Sequence, residues 1–333
     1  MIEKTLKYIV SIELAVILLG VAFRDVEWVP FMEGLKKCDM GLIILSMVAG
    51  IFAFWIRGLR WRQLLLPIDS KIGRITTFNG INIANISNFA FPRLGEFVRC
   101  GVIVRRARKE RINDSTHESK GISYNQVLGT VVLERGWELL VMLLMLALVM
   151  LLGYDRFGSF FIKEVWTPMS AKLNMWWIII LAAASGAGAI SIIWKFKDTN
   201  ALCGRIAGVF RGIMQGFSSC LHMKKKWKFF FYTLMIWLTY WFMSACTVWA
   251  APFLNHLDVI DALFLSLAGA LSLVVPVPGG IGAFHFIVCL TLTTIYDVPK
   301  ENALIYATIS HTSQSLIQII CGALSYGYEA MKK

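Results

Sequence analysis

The chain has 333 residues, of which 57% are hydrophobic and 16% are charged, and its net charge is +12. Soluble domains are about a quarter charged and about half apolar, so this composition excludes a soluble protein and predicts an integral membrane protein. A basic excess in that class is typical of cytoplasmic loops, which face anionic lipids. We therefore expect membrane lipids, rather than nucleic acid, as the partner.

Six apolar stretches are close to the length of about 20 residues that a helix needs to cross a bilayer. They lie at about 7–23, 40–57, 127–153, 174–194, 228–250 and 304–328. Between the fourth and the fifth, the segment 195–228 has apolar residues at helical spacing. It predicts an amphipathic helix at the cytoplasmic interface.

Two further apolar stretches, 75–104 and 259–297, are interrupted by proline, glycine and polar residues. Basic segments flank the first stretch at 57–74 and 99–120, and both should be cytoplasmic. A single crossing between them would put one segment on the wrong side. The first stretch therefore predicts a re-entrant helical hairpin, and the same count makes 259–297 a hairpin that enters from outside.

These elements predict an all-α polytopic membrane protein with about six full spans and two re-entrant hairpins. We expect one membrane domain in the cell membrane, with both termini cytoplasmic. Residues 1–153 form two spans, a hairpin and a span beginning inside, and residues 174–333 form the same series beginning outside. This order predicts an inverted-topology repeat, an architecture found in many transporters.

The first interruption reads PRLGEFVR and begins at Pro92. Proline suits the first turn of a helix, so a helix would start here at depth, with free N–H groups that can bind phosphate. Arg93 and Arg99 could add bidentate contacts to that phosphate, and Glu96 could orient an arginine. The alternative is that the three charges form a structural ion network.

Polar side chains precede this break at every third residue: Asn82, Asn85 and Asn88. On a helix they form one stripe. The stripe either lines a hydrophilic track or forms hydrogen bonds between helices, and the sequence leaves both interpretations open.

The stretch at 127–153 contains Glu134 and Arg135, with Glu138 one turn beyond Glu134. Charges inside membrane domains are costly and usually functional. Either these residues pair with arginines in a cavity, or they lie near the cytoplasmic end and pair with arginines of the loops.

The second interruption, PVPGGIGAFHF at 276–286, combines two prolines with three glycines and a histidine. The prolines should end the preceding helix, and the glycines permit tight turns and close backbone approach. A helix from about Ile281 would then present its N-terminus at depth as an anion site. His285, on its first turn, could donate to phosphate or carry a proton, or it could be a neutral histidine bonded within the bundle.

Three stretches, NFAFPRLGEFVRC (88–100), GISYNQVLGTVVLERGWELLVML (121–143) and VPVPGGIGAFHF (275–286), resemble the lysylphosphatidylglycerol synthase transmembrane-region family. The resemblance implies a helical membrane domain with re-entrant elements, and lipid translocation. Two positions depart from the family pattern. A glutamate is common soon after the Pro-Gly-Gly-x-Gly block, where His285 is the nearest titratable residue in this chain, and Glu138 stands where aspartate is common. We expect no soluble aminoacyl-transfer domain, and therefore no synthesis activity.

The sequence thus predicts a lipid transporter or flippase for a phosphate-bearing lipid, and not an enzyme. The alternatives are an intramembrane lipid-modifying enzyme and a non-catalytic partner of a lipid or glycan synthesis enzyme. We expect no cofactor and no metal site, and a homodimer remains an option. The predicted head-group site comprises Asn85, Asn88, Arg93, Glu96, Arg99, Glu134, Arg135, Pro278, Gly279, Gly280, Gly282 and His285.

Overall fold

The computed structural model describes residues 2–24, 26–113, 122–154, 225–272 and 275–332, with isolated positions between 180 and 223. Within these ranges the chain forms helices and no strand, which confirms the all-α prediction. In chain order the helices are α1 (Ile2–Ala22), α2 (Trp28–Lys36), α3 (Met40–Leu65), α4 (Arg74–Ala90), α5 (Leu94–Asn113), α6 (Tyr124–Leu152), α7 (Lys226–Ala250), α8 (Val259–Leu271), α9 (Ala283–Ile295) and α10 (Lys300–Met331).

Four segments of the described chain are long and apolar enough to cross a membrane: α3, α6, α7 and Pro278–Ile295. The protein is therefore a multi-pass membrane protein, while the number of full spans and the re-entry of the hairpins stay predictions. The predicted span at 174–194 lies outside the described residues apart from isolated positions, as does nearly all of the segment 195–228.

Two helices differ from the sequence prediction. Helix α3 continues past residue 57 to Leu65, because arginine is a good helix former and the basic residues do not stop it. Its start is capped by Asp39, whose side chain accepts from the backbone N–H groups of Gly41 and Leu42. The short helix α2 was not predicted. Its nine residues pack against α10, where Gly34 lies against Ile305.

Helices α4 and α5 form an antiparallel hairpin. Gly95 lies against the backbone of Ala84, and Gly80, four residues before Ala84, lies near Arg99, four residues after Gly95. Three residues join the helices, and Arg93 among them has a positive φ of 62°. The Asn88 side chain spans the turn, since its Oδ1 accepts from the Gly95 N–H at 2.8 Å.

Helices α8 and α9 are joined by the second interruption. Helix α8 begins at the predicted residue, capped by Asp258, and ends at Leu271, five residues before Pro276. Helix α9 begins at Ala283, two residues later than predicted. Gly269 near the end of α8 packs against Phe284 near the start of α9, so the chain turns back here as well.

The long helix α10 fixes the order of the other elements along the bundle axis. Lys300 at its start donates to the Arg24 carbonyl at the end of α1. Near its middle, Gln314 donates to Ser46 of α3. At its far end, Glu329 accepts from Asn79 near the start of α4. Residues near 311 on α10 therefore lie at mid-depth between the two ends of the bundle.

Candidate functional site

Six charged side chains from α3, α5 and α6 form a closed ring in which arginine and glutamate alternate. Its members are Arg60, Glu134, Arg99, Glu96, Arg135 and Glu138, and the ring closes with a contact from Glu138 to Arg60. The N···O distances are 2.9 Å from Arg60 to Glu134 and 2.7 Å from Glu134 to Arg99. Each carboxylate therefore contacts two guanidinium groups.

The ring is most deeply buried at Glu134. This carboxylate and the two arginines that bind it, Arg60 and Arg99, are 0% exposed. By contrast, Arg135 is 39% exposed and opens the other side of the ring toward the surface. Burying an ion costs several kcal/mol unless partners and hydrogen bonds offset it, and Glu134 has two cationic partners for that purpose.

Aromatic side chains support the buried arginines. The Arg99 guanidinium lies 4.6 Å from the ring centre of Trp61, and Arg60 lies 5.9 Å from that of Phe229. Cation–π contacts of this kind stabilise a desolvated cation. Trp61 is itself fixed, because its indole N–H donates to the Thr130 hydroxyl at 3.1 Å.

Four predicted site residues meet in this ring: Glu96, Arg99, Glu134 and Arg135. Glu134 pairs with Arg60 of the basic segment 57–74 and with Arg99 of α5, and all three side chains are buried. Arg60 was missed, because its neighbours in 57–74 gave it the appearance of a cytoplasmic loop residue. Arg60 could have been recognised as buried from the sequence, since helical spacing places it beside Trp61 and Leu64 at the end of an apolar span.

Several guanidinium N–H groups at the ring have no acceptor. Within the described residues, Arg57 Nε, Arg60 Nε and Nη1, and Arg99 Nε are buried without a hydrogen-bond partner. Arg57 lies one turn before Arg60 on α3, within electrostatic range of Glu138. The cluster therefore has four guanidinium groups for three carboxylates, and its unused N–H groups can donate to an anion or to water.

The asparagine stripe of α4 faces α10. Asn79 donates to Glu329 at 2.8 Å and Asn82 donates to Ser325 at 3.2 Å, so this part of the stripe forms hydrogen bonds between helices. Asn88 instead spans the turn after α4. Asn85 has a buried Nδ2 without a hydrogen-bond partner.

The two chain breaks meet at mid-depth, at what we call the junction: the turn 91–93 together with the turn 275–282. A Cβ on Gly279 would lie 2.5 Å from ring carbons of Phe89 at the end of α4, and Gly279 has a positive φ of 59°. On the other side, Gly282 packs on the backbone of α1 at Ala15. Only glycine permits both the backbone conformation and these approaches.

The junction and the charge ring are contiguous. Arg93 lies in the first turn of the junction, and Glu96 is three residues further along, which is less than one turn of α5. The start of α5 thus links the ring along the chain to the junction, which holds Pro278, Gly279, Gly280 and Gly282 and lies beside His285.

Two histidines lie at the junction. His311 of α10 has its Nε2 3.0 Å from the Gly279 carbonyl, so Nε2 carries the proton and donates. The ring of His285 is 5.1 Å from that of His311, and its Nδ1 is buried without a hydrogen-bond partner. This nitrogen therefore forms no hydrogen bond within the described part of the bundle, and His311 connects α10 to the turn 275–282.

A family model described as the lysylphosphatidylglycerol synthase TM region matches residues 6–322. The chain belongs to this family. No curated protein and no solved structure matches it. The membership confirms the resemblance carried by the three sequence motifs, and it links the protein to lipid metabolism.

In this member of the lysylphosphatidylglycerol synthase TM region family, the three motifs converge on one region. The first supplies the turn at Arg93 and the start of α5, the second supplies Glu134 and its neighbours on α6, and the third supplies the glycine turn. Among the described residues, no group of three or more His, Cys, Asp or Glu side chains could hold a metal ion.

Proposed function

We propose that the protein moves a phosphate-bearing lipid across the cell membrane, passing the head group through the junction and the charge ring. The observation that carries the proposal is that a buried ring with unused guanidinium donors adjoins the point where two broken helices meet. Such broken helices near the midplane are the usual substrate sites of transporters.

The charge ring is better suited to binding an anion transiently than to holding one permanently. Each arginine in it already has carboxylate partners, and the unused N–H groups leave room for one more acceptor. A phosphate entering here would displace a carboxylate from one guanidinium and bind in its place. Bidentate binding of phosphate by arginine is strong, and the displaced glutamate keeps its second arginine.

The packing of the helices supports the proposed inverted repeat of residues 1–153 and 174–333. Helix α3 packs against α4 and α6, and its proposed counterpart α7 packs against α8 and α10. Helix α4 packs against α10, and α8 packs against α6. Each of these pairings thus has a partner under exchange of the halves, with the α3–α7 pair at the centre, whereas α3 packs more closely on α10 than α7 does on α6. Alternating access by two rocking halves is the mechanism expected of such repeats.

The test is lipid translocation in proteoliposomes. Fluorescent phosphatidylglycerol, a polyprenyl phosphate and a neutral diacylglycerol would be placed in one leaflet, and their movement measured by quenching from outside. Arg93→Gly removes the guanidinium at the junction while glycine tolerates the left-handed backbone of this position. Arg93→Lys keeps the charge, and Arg108→Ala removes an exposed arginine at the far end of α5.

We expect the wild type and Arg108→Ala to move the phosphate lipids, Arg93→Gly to slow them at least tenfold, and Arg93→Lys to be intermediate. Diacylglycerol should move at the rate of empty vesicles. If folded wild-type protein moves none of the phosphate lipids, the proposal is wrong. Recovery of a chemically altered lipid would favour the enzyme alternative instead.

A further inference from the structure

We infer that the His285–His311 pair at the junction binds one proton together with the anionic head group, so that proton and lipid are taken up as a unit. The inference rests on the proposed function, because it names the coupling ion of the same site. The pair lies where the two breaks meet, since His311 bonds to the Gly279 carbonyl and the His285 ring lies 5.1 Å from that of His311.

In the neutral pair, each imidazole has one nitrogen without a proton. His311 donates its Nε2–H to the Gly279 carbonyl, and its Nδ1 lies 3.5 Å from the Ser315 hydroxyl. His285 is 6% exposed, and its Nδ1 is buried without a partner. With the two rings 5.1 Å apart, a positive charge on both would be strongly unfavourable. The pair therefore binds at most one proton beyond the N–H that each neutral ring carries.

No described acid faces His285 to stabilise that proton. Helix α1 presents the ring of Phe23, at 5.9 Å, and α10 presents His311. Lys300 and Glu301 of α10 lie near Cys289, one turn further along α9, and Glu13 of α1 is exposed. A charged imidazole at this depth therefore needs an anion brought from elsewhere.

A lipid phosphate supplies that anion. It would enter beside the glycine turn, where a Cβ on Gly280 would lie 3.7 Å from His311 Nε2 and the backbone comes close without a side chain. The protonated pair then offsets one negative charge of the phosphate, which lowers the cost of carrying the head group through the low-dielectric centre. By linkage, the lipid must raise the proton affinity of the pair as much as the proton raises lipid affinity.

The experiment measures proton uptake on lipid binding by isothermal titration calorimetry. Dioctanoyl phosphatidylglycerol would be titrated into the full chain in detergent, in buffers of different ionisation enthalpy, from about pH 6 to about pH 8, the range in which histidine changes charge. The slope of the observed enthalpy against the buffer enthalpy gives the protons bound per lipid. His285→Gln removes the titrating ring, and His256→Gln, in an exposed loop, is the matched control.

We expect uptake of up to one proton per lipid in the wild type and in His256→Gln, with affinity rising as pH falls, by at most about tenfold per pH unit. His285→Gln should bind lipid more weakly and without proton uptake. If it does not fold, His311→Gln replaces it and should likewise lose the uptake.

Lipid binding by the wild type with no proton uptake at any pH would overturn the inference and leave the proposed function standing. Full uptake in the histidine variants would also overturn it. Failure of the wild type to bind the lipid at all would count against both.

Discussion

At the scale of single residues, Glu134 is the most deeply buried carboxylate of the charge ring. It is the only ring carboxylate that is 0% exposed, and it contacts two arginines that are also 0% exposed. Glu96 and Glu138, by comparison, are 21% and 22% exposed. Water can replace part of the stabilisation that Glu96 and Glu138 give to their arginine partners, whereas Glu134 is not exposed to water.

Glu134→Gln should therefore destabilise the protein strongly. The amide keeps the shape of the side chain but leaves Arg60 and Arg99 without their shared counter-charge, and removal of one partner of a buried ion network costs about 3–5 kcal/mol. Thermal unfolding in detergent would measure the effect as a lower Tm. Glu138→Gln is the control, with a smaller decrease expected because Glu138 is itself 22% exposed and one of its two partners, Arg135, is 39% exposed. Equal Tm values for the two variants would contradict the buried ring.

The sequence predicted the members of this ring on α5 and α6 because each is a charge inside an apolar stretch, which is costly unless paired. Arg60 escaped prediction for a physical reason. The rule that assigns basic residues to cytoplasmic loops depends on counting them, and Arg60 lies among four others in 57–74. Only packing of α3 on α6 distinguishes the one that faces a carboxylate.

At the scale of the elements, close backbone approach holds the α4–α5 hairpin together and so places Arg99 in the ring. Gly95 packs directly on the Ala84 backbone, and Gly80 of the same hairpin packs on Trp61. Small residues at such contacts are how membrane helices approach closely. Added side-chain volume should therefore lower the stability of the hairpin on the face of α5 that packs on α4, and should not do so on the opposite face.

Two substitutions in α5 test this asymmetry. A Cβ at Gly95 would overlap the Ala84 carbonyl oxygen, so Gly95→Ala should cost about 1–3 kcal/mol, as overpacking usually does. Gly101 has nothing within 4 Å of its Cβ position, and Gly101→Ala should stabilise the helix by about 1 kcal/mol. Chemical or thermal unfolding of both variants measures the difference. If Gly95→Ala is as stable as Gly101→Ala, the hairpin packs otherwise.

The breaks themselves were predictable from sequence because Pro92, Pro278 and the glycines act locally, through missing donors and permitted backbone angles. The meeting of the two breaks was only a hypothesis, since it depends on contacts between residues far apart in the chain, such as Phe89 on Gly279. Helix α2 could not be found by span length, because its nine residues are too few for a span and its burial comes from α10.

At the scale of the whole molecule, the direction of each helix follows from its contacts with α10 and α1. Helices α1 and α9 run parallel, since Ala15 and then Phe23 contact Gly282 and then His285 in the same order. Helix α4 starts at the end of α10 and runs to the junction. With the basic ends cytoplasmic, we expect the two hairpins to enter from opposite faces and to end at the same depth.

Accessibility of single cysteines to a membrane-impermeant maleimide in intact cells tests this arrangement. Asn255→Cys and Asp297→Cys, at the two ends of the α8–α9 hairpin, should label from outside. Arg108→Cys and Lys225→Cys should label only after permeabilisation. All four positions are exposed in the described chain, and wild-type protein controls for the native cysteines.

Arg93→Cys decides between a re-entrant hairpin and two full spans. A hairpin that turns at mid-depth should leave position 93 unlabelled in intact cells, because α4 has only 17 residues, about 25 Å of helix, and a tilted helix of that length ends short of the outer surface. Labelling from outside at the rate of Asn255→Cys would show that the turn reaches the outer face. The two halves would then lose their shared mid-depth junction, although their inverted order would remain, because two full spans return the chain to the same face as a hairpin does.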